Sequence, residues 1–365
     1  MSGQVPDIPA AGQRRWDCIA LGEVMLRLDP GVGRIRNARS FDVHEGGGEY
    51  NVARGLSATF GRDTAILTAL PRNELGVLAE SLMRAGGVDT SAIVWRDADP
   101  IGRDVRMGLN FTERGFGLRA ALGVSDRARS AASQLRPDSF DLAALCAATR
   151  WLHTGGIFSA LSESTAETAI AAIAAARRAG AATSYDLNYR ASLWQAHPRP
   201  DAARRANTGI VAECDVLIAD ELSMAACLDL DLSDIQARTS PVDTAALDAA
   251  AARAFERFPR LRIIACPVRD AVSATRNVWG GVLHMRGQRH ATVVREIEIF
   301  DRVGGGDAFV AGLIHGLLDG SDPRRALELA VAHGALAMTT AGDNAVVTKE
   351  EVEAAVRGDR VAARR

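Results

Sequence analysis

The sequence predicts an α/β fold: a mostly parallel central sheet flanked by helices on both faces, with a small antiparallel sheet projecting as a lid. Three observations carry this. Short apolar runs alternate with longer helical patterns along most of the 365 residues, the order that parallel sheets covered on both faces require. Two stretches, 26–44 and 100–122, instead alternate apolar and polar residues with no helix pattern between them, which marks strands with one wet face. Polar and glycine residues collect where the apolar runs end, as they do at the carboxyl ends of strands that border a ligand cleft.

Taken in order, "DCIALG" (17–22) reads as the first strand. "NVARGLSATFG" (51–61) reads as a helix stopped by glycine, and "DTAILTAL" (63–70) as the next strand. "LGVLAESLMRAGG" is an amphipathic helix that again ends in glycine. "RWLHTGG" and the helix "STAETAIAAIAAARRAG" follow, then the strands "AATSYDL", "DVLIAD" and "RIIACPV". The strand ends are Gly22–Glu23, "HTGG" at 153–156, "DLNYR" at 186–190 and "ADE" at 219–221. Residues 1–15 are polar and contain proline. They are expected to form a disordered leader, with one domain over 16–358 and a tail over 359–365.

Composition excludes several classes. Apolar residues make up 47%, charged residues 24%, and the net charge is -2 without a block of like charge. Nothing here favours nucleic acid or an anionic membrane. No apolar run nears the roughly 20 residues of a membrane span, and no signal peptide pattern opens the chain. The five cysteines, Cys18, Cys146, Cys214, Cys227 and Cys266, form no C-x-x-C pair. They read as reduced thiols, so a cytoplasmic location is expected. The histidines show no metal-ligand spacing. His315 and His333 sit on helical patterns and are expected to serve plain packing or surface roles.

The chemistry centres on "FDRVGGGDAFVAGLIHGLL". Gly304, Gly305 and Gly306 expose backbone N–H groups just before a helix expected from about Ala308. That helix adds its own unpaired N–H groups and positive dipole end. The product is an anion site suited to a phosphoryl group. Asp307 cannot itself bind phosphate, but it can take a proton from an attacking hydroxyl. A plainer role, as a helix N-cap worth about 1 kcal/mol, suits it equally when the residue is taken alone. No G-K-[ST] follows, so this is not a Walker A. The absence of G-x-G-x-x-G after the first strand disfavours a nicotinamide dehydrogenase.

"D-R-V-G-G-G-D-A-F-x-A-G" resembles the D-T-x-G-A-G-D-x-F-x-x-G signature of the ribokinase-like (PfkB) sugar kinases. "GGGEYNVARGLSATFG" (46–61) is similar to the G-G-x-x-x-N-x-A segment of that family, which contacts the sugar. The resemblance covers residues 16 to 358. It implies a ribokinase-like kinase domain that phosphorylates a sugar hydroxyl with ATP and magnesium, and leaves a monovalent cation open. By the same resemblance Asp307 is the base, Gly46, Gly47 and Asn51 hold sugar hydroxyls, and the chain pairs as a homodimer through the lid.

Further segments, "LGEVMLRLDP", "SYDLNYRASLW" and "TTAGDNAV", look like the 2-keto-3-deoxygluconate kinase branch. Glu49 and the D-x-N-Y-R-x-x-L-W run over 186–194 are characteristic of it. Arg190 suits a bidentate bond to the carboxylate of a sugar acid. Arg127 and Asp343 match other substrate-contacting positions. Two segments depart from the family pattern. In "IADELSMA", Ala219 and Leu222 replace an asparagine and an acid linked to magnesium and phosphate, leaving Asp220 and Glu221 to act through water. "CPVRDAVSATRNVWGG" lacks the early glycines of the adenine-side loop, with Arg269 and Asn277 as the nucleotide candidates. A tyrosine near the lid arginine is also missing, with Ser125 nearby. The competing readings are a kinase of fructose or another neutral sugar, and a non-catalytic sugar-sensing homologue.

Overall fold

A computed structural model describes residues 5–195, 197–232 and 243–359. The other residues of the expected leader and tail, 1–4 and 360–365, lie outside the described residues. Fifteen strands run in chain order as β1 Cys18–Leu21, β2 Met25–Asp29, β3 Asp42–Gly46, β4 Thr64–Leu67, β5 Ala69–Pro71, β6 Val94–Arg96, β7 Gly108–Glu113, β8 Leu122–Asp126, β9 Trp151–Gly155, β10 Ala182–Asp186, β11 Val216–Ile218, β12 Ile263–Ser273, β13 Arg276–Met285, β14 Gln288–Ala291 and β15 Arg295–Glu298. The main sheet has the order β14-β13-β12-β11-β10-β9-β1-β4, with β15 also on β13. It is parallel from β4 to β12 and antiparallel beyond.

The expected burial of both faces is visible residue by residue. Ile19, Leu217 and Ile264 point into one core, with Ala169 and Ile173 of the helix Glu163–Arg178. Their chain neighbours Cys18, Val216 and Ile263 point into the other, with Phe309 and Leu313 of the helix Gly305–Leu318. Each Val, Leu, Ile or Phe among them contributes about 1.5–3 kcal/mol on full burial. A strand with no wet face has no position that tolerates a charge, which is why these runs read as uniformly apolar.

Of the two roles left open for His315 and His333, both take packing. His315 stacks on Phe60 with ring centroids 4.0 Å apart. A carbonyl only accepts, so His333 donates from Nδ1 to the Ala308 carbonyl at 2.7 Å, leaving Nε2 to accept from Thr59 at 3.2 Å. Burial holds both rings down to about 4, so both are neutral.

The second sheet runs β3-β2-β7-β8. The β2–β3 and β7–β8 pairs are antiparallel, while β2 and β7, from separate excursions of the chain, meet in parallel. Its strands extend past the expected limits, to Gly46 and Asp126. The β7–β8 connection leans on the β12–β13 hairpin, where the Ala274 amide donates to the Gly117 carbonyl at 2.9 Å. Arg114 lies over the Phe300 ring at 4.6 Å.

The expectation of a disordered leader is overturned for its described part. Ile8 packs against the second core, and the Pro9 carbonyl accepts from buried Arg150 at 2.7 Å. Arg14 reaches the Ala179 carbonyl at 2.8 Å. One apolar anchor and a few backbone acceptors suffice to hold a polar segment down, and composition does not register them.

Candidate active site

The carboxyl ends of β9, β10 and β11 and the underside of the lid border a cleft of about 450 Å³, within the usual range for small-molecule sites. Its floor is the 304–307 turn. Gly304 has φ 77°, and a Cβ there would lie 1.9 Å from the Asp343 carbonyl oxygen. Only glycine meets both demands. The helix starts at Gly305, not near Ala308 as the glycines imply, because Gly304 itself serves as N-cap. The Ala308 amide bonds back to the Gly304 carbonyl at 2.8 Å. The amides of Gly305, Gly306 and Asp307 precede that bond and have no intrahelical acceptor. Gly306 lines the cleft and a Cβ there would meet nothing within 4 Å, whereas Gly305 packs under Met338. A Gly304→Ala variant is expected to lose on the order of 2 kcal/mol or more of stability. A calorimetric melt checks this, and an unchanged midpoint would rule out the constraint.

Asp307 lies in the first turn and caps nothing, so the N-cap alternative fails. Asn51, on the helix Gly48–Arg54, donates from Nδ2 to Asp307 at 2.7 Å. The two glycine segments of the chain therefore meet at one carboxylate. Burial, with help from Asp186 and Asp343, raises Asp307 to about 7 against the opposing Asn51 bond and the Arg190 charge. A base poised near neutral pH is well matched to proton abstraction. Gly46 and Gly47 serve close approach: a Cβ on Gly46 would sit 2.3 Å from Asp343 Oδ2, and one on Gly47 would sit 2.0 Å from the Glu23 carbonyl. Gly47 lines the cleft and Gly46 stands behind Asp343.

Among the other expected residues, Arg190, Asp220, Arg269 and Asp343 line the cleft. Arg190 is the N-cap residue of the short helix Ala191–Trp194 without a side-chain cap bond, and its guanidinium donates to the Tyr189 carbonyl at 3.1 Å. Asp186, the first residue of the D-x-N-Y-R run, joins them. Its Oδ1 accepts from Asn188, whose φ of 33° is left-handed and turns the loop back. Burial pushes Asp186 up to about 6, with Asp220 adding and Arg190 and Arg269 opposing. Asp220 caps the helix Glu221–Cys227 through Oδ1, at 2.7 Å from the Ser223 amide.

Besides Gly46 and Gly305, three expected residues are not on the cleft wall. Arg127 donates from Nε to Glu23 at 2.8 Å. Glu23 also accepts from Ser130. Glu221 is buried at the start of its helix. Asn277 is a correction: it is 4% exposed on β13, on the face that carries Trp279 onto the Val331 carbonyl at 2.9 Å. Its pairing with Ala271 sets it on the face of Arg269, but it is covered and is not on the cleft wall. Glu49 is buried close by, and desolvation, more than the Asp307 charge, raises it to about 8, with Arg127 opposing.

Two residues on the wall carried no sequence signal of their own. Asn110 of β7 reaches down from the lid, donating to Thr112 at 2.8 Å and accepting from Ser125 at 3.2 Å. Arg302 borders the turn and is exposed.

Asp186 and Asp220 each keep a second oxygen without a hydrogen-bond partner among the described residues. That donor set fits magnesium, which keeps waters and takes one or two carboxylates together with substrate phosphates. No helix among the described residues is long and apolar enough to cross a membrane.

A family model described as pfkB family carbohydrate kinase matches residues 17–350. A 2-dehydro-3-deoxygalactonokinase of Haloferax volcanii is 34% identical over 345 residues, 94% of this chain and 97% of its own. A 2-dehydro-3-deoxygluconokinase of Thermoproteus tenax is 28% identical over 89% of each chain. The crystal structure of a 2-dehydro-3-deoxygluconokinase from Thermotoga maritima superposes with a TM-score of 0.84 at 34% identity, covering 93% of this chain and 99% of that one.

Proposed function

Because the chain belongs to the pfkB family of carbohydrate kinases, we propose that it transfers the γ-phosphoryl group of ATP to the primary hydroxyl of 2-keto-3-deoxygluconate, giving the 6-phosphate. The observation that carries this is the meeting of Asn51, Asp307 and the glycines of the 304–307 turn at one point of the cleft, where the first helical amides lack an intrahelical acceptor. Asp307 accepts the hydroxyl proton as the new O–P bond forms and the bond to the β-phosphate oxygen breaks, releasing ADP. The turn amides hold the transferring group as its charge spreads, in a site where fixed dipoles act with little reorganisation. Asn51 orients the base and, with Gly47, borders the sugar. Asp343 stands on the acceptor side.

Arg190 is assigned to the sugar carboxylate. It meets no acid within ion-pair distance among the described residues, although it is close enough to Asp186 and Asp307 to shift both. Arg269 and Arg302 flank the mouth and are assigned to the nucleotide phosphates. Magnesium, which neutralises phosphate charge when bound, would be held by Asp186 and Asp220. The lid keeps water from the γ-phosphoryl, so that ATP is not spent on hydrolysis.

A second reading has one specific support. The 34% identical Haloferax relative is named for the galactonate epimer, so that epimer is the competing acceptor. A coupled ADP-release assay across both keto-deoxy sugar acids, fructose and other neutral hexoses tests the assignment. A preference for fructose would sink the acidic substrate, and no turnover on any sugar would favour a sensing role. A homodimer through the lid belongs to the same proposal. The apolar side chains Val43 and Val124 on its outer strands are 41% and 47% exposed. Light scattering is expected to give twice the chain mass of 38.7 kDa, and Val124→Lys should halve it.

A further inference from the structure

Arg27 is a charged residue with 0% exposure, in strand β2 of the lid sheet. Its guanidinium grips three carboxylates from three parts of the chain. NH1 donates to Asp343 at 2.7 Å, and NH2 donates to Asp29 at 2.9 Å and to Asp301 at 2.5 Å. All three acids are buried. Arg114 adds a second cation, 3.3 Å from Asp29. The cluster therefore holds three carboxylates against two guanidiniums.

Both distant acids control the 304–307 turn. Asp301 accepts the Val303 amide at 3.1 Å, which shapes the entry to Gly304. The Asp343 carbonyl packs against Gly304 so closely that a Cβ there would be 1.9 Å away, while the Asp343 side chain lines the cleft. Arg27 thus ties the lid strand to the segments on both sides of the turn.

We infer that Arg27 is a positioning residue: it fixes Asp301 and Asp343 against β2, and so sets the turn amides and the Asp343 carboxylate in the geometry that transfer requires. The fork of a guanidinium suits three acceptors in different directions. An ammonium is a point charge on a flexible stem and cannot hold all three at once. The inference rests on the sugar-kinase reading above.

Two variants test it. Arg27→Lys keeps the charge and loses the fork. It is expected to fold, with kcat at least tenfold lower and the KM values for sugar and ATP within about threefold, since small misplacements cost rate more than binding. Arg27→Met combined with Asp301→Asn removes one cation and one anion, so the net charge of the cluster is unchanged. It is expected to regain the stability that Arg27→Met alone loses by stranding buried acids, yet to keep the low kcat. Wild-type kcat in either folded variant would overturn the inference, as would a loss carried wholly in KM. If neither variant folds, Arg27 is structural and the inference also fails. The acceptor is whichever sugar the wild-type enzyme phosphorylates fastest. A wrong substrate assignment then appears in the wild type alone and leaves the Arg27 comparison intact.

Discussion

Replacing Asp307 by asparagine is expected to lower kcat by roughly 10²–10⁴-fold, the range that a positioned general base supplies, while the protein folds as before. The side chain keeps its size, and the turn amides do not depend on it. KM for ATP should stay within a few-fold, because those amides remain. A second readout separates loss of the base from general damage. Burial raises Asp307 to about 7, whereas an unfolded aspartate titrates near 3.9. Between those values the unfolded chain gives up the proton and the folded chain keeps it. The stability that the protonated group contributes is thus fully present below about pH 4 and lost as pH rises through 7. Asparagine cannot lose it. The melting temperature of Asp307→Asn should therefore match the wild type near pH 4 and exceed it at pH 8. A variant that phosphorylates its sugar at near wild-type rate would remove Asp307 from the mechanism. One that is slow but shows no pH-dependent gain would leave the base and discard the account of its raised pKa.

The main sheet was legible because strands buried on both faces leave no freedom in polarity. Ile19 and Cys18, or Ile264 and Ile263, must be apolar whichever core they enter. The 304–307 turn was legible for a similar reason, since a left-handed residue whose Cβ would lie 1.9 Å from a carbonyl oxygen admits only glycine. Its exact helix start was not, because glycine argues against helix by propensity while the first turn needs no side chain at all. Arg27 shows where alternation fails. In "MLRLD" the period-two pattern assigns Arg27 and Asp29 to a wet face. That pattern reports polarity and says nothing about what covers the polar side. Here Asp301 and Asp343, far along the chain, turn a wet face into a buried ionic cluster. Asn277 shows the same limit: its register sets it on the face of Arg269, which lines the cleft, yet Asn277 itself is covered.

Arg190→Ala is expected to reduce kcat/KM for the keto-deoxy sugar acid on the order of 10²-fold, and for a neutral hexose only a few-fold. A bidentate, charge-assisted pair is worth about 3 kcal/mol, and 1.4 kcal/mol is a factor of ten. Fructose offers no carboxylate and cannot lose that bond. The pH profile makes a second, independent demand. Asp307 must be ionised to accept a proton, so kcat/KM of the wild type should fall as pH drops through about 7. The Arg190 charge holds Asp307 down, so removing it should move that acidic limb to higher pH. Asp186 pushes Asp307 up, so Asp186→Asn should move the limb to lower pH. Opposite shifts from two residues on one loop cannot arise from loosened packing, which would displace both the same way. If Arg190→Ala costs fructose and the sugar acid alike, Arg190 serves the phosphoryl group, and the case for an acidic substrate then falls on Arg127. That arginine is held against Glu23 at 2.8 Å and is already occupied, so the acidic assignment stands or falls with Arg190.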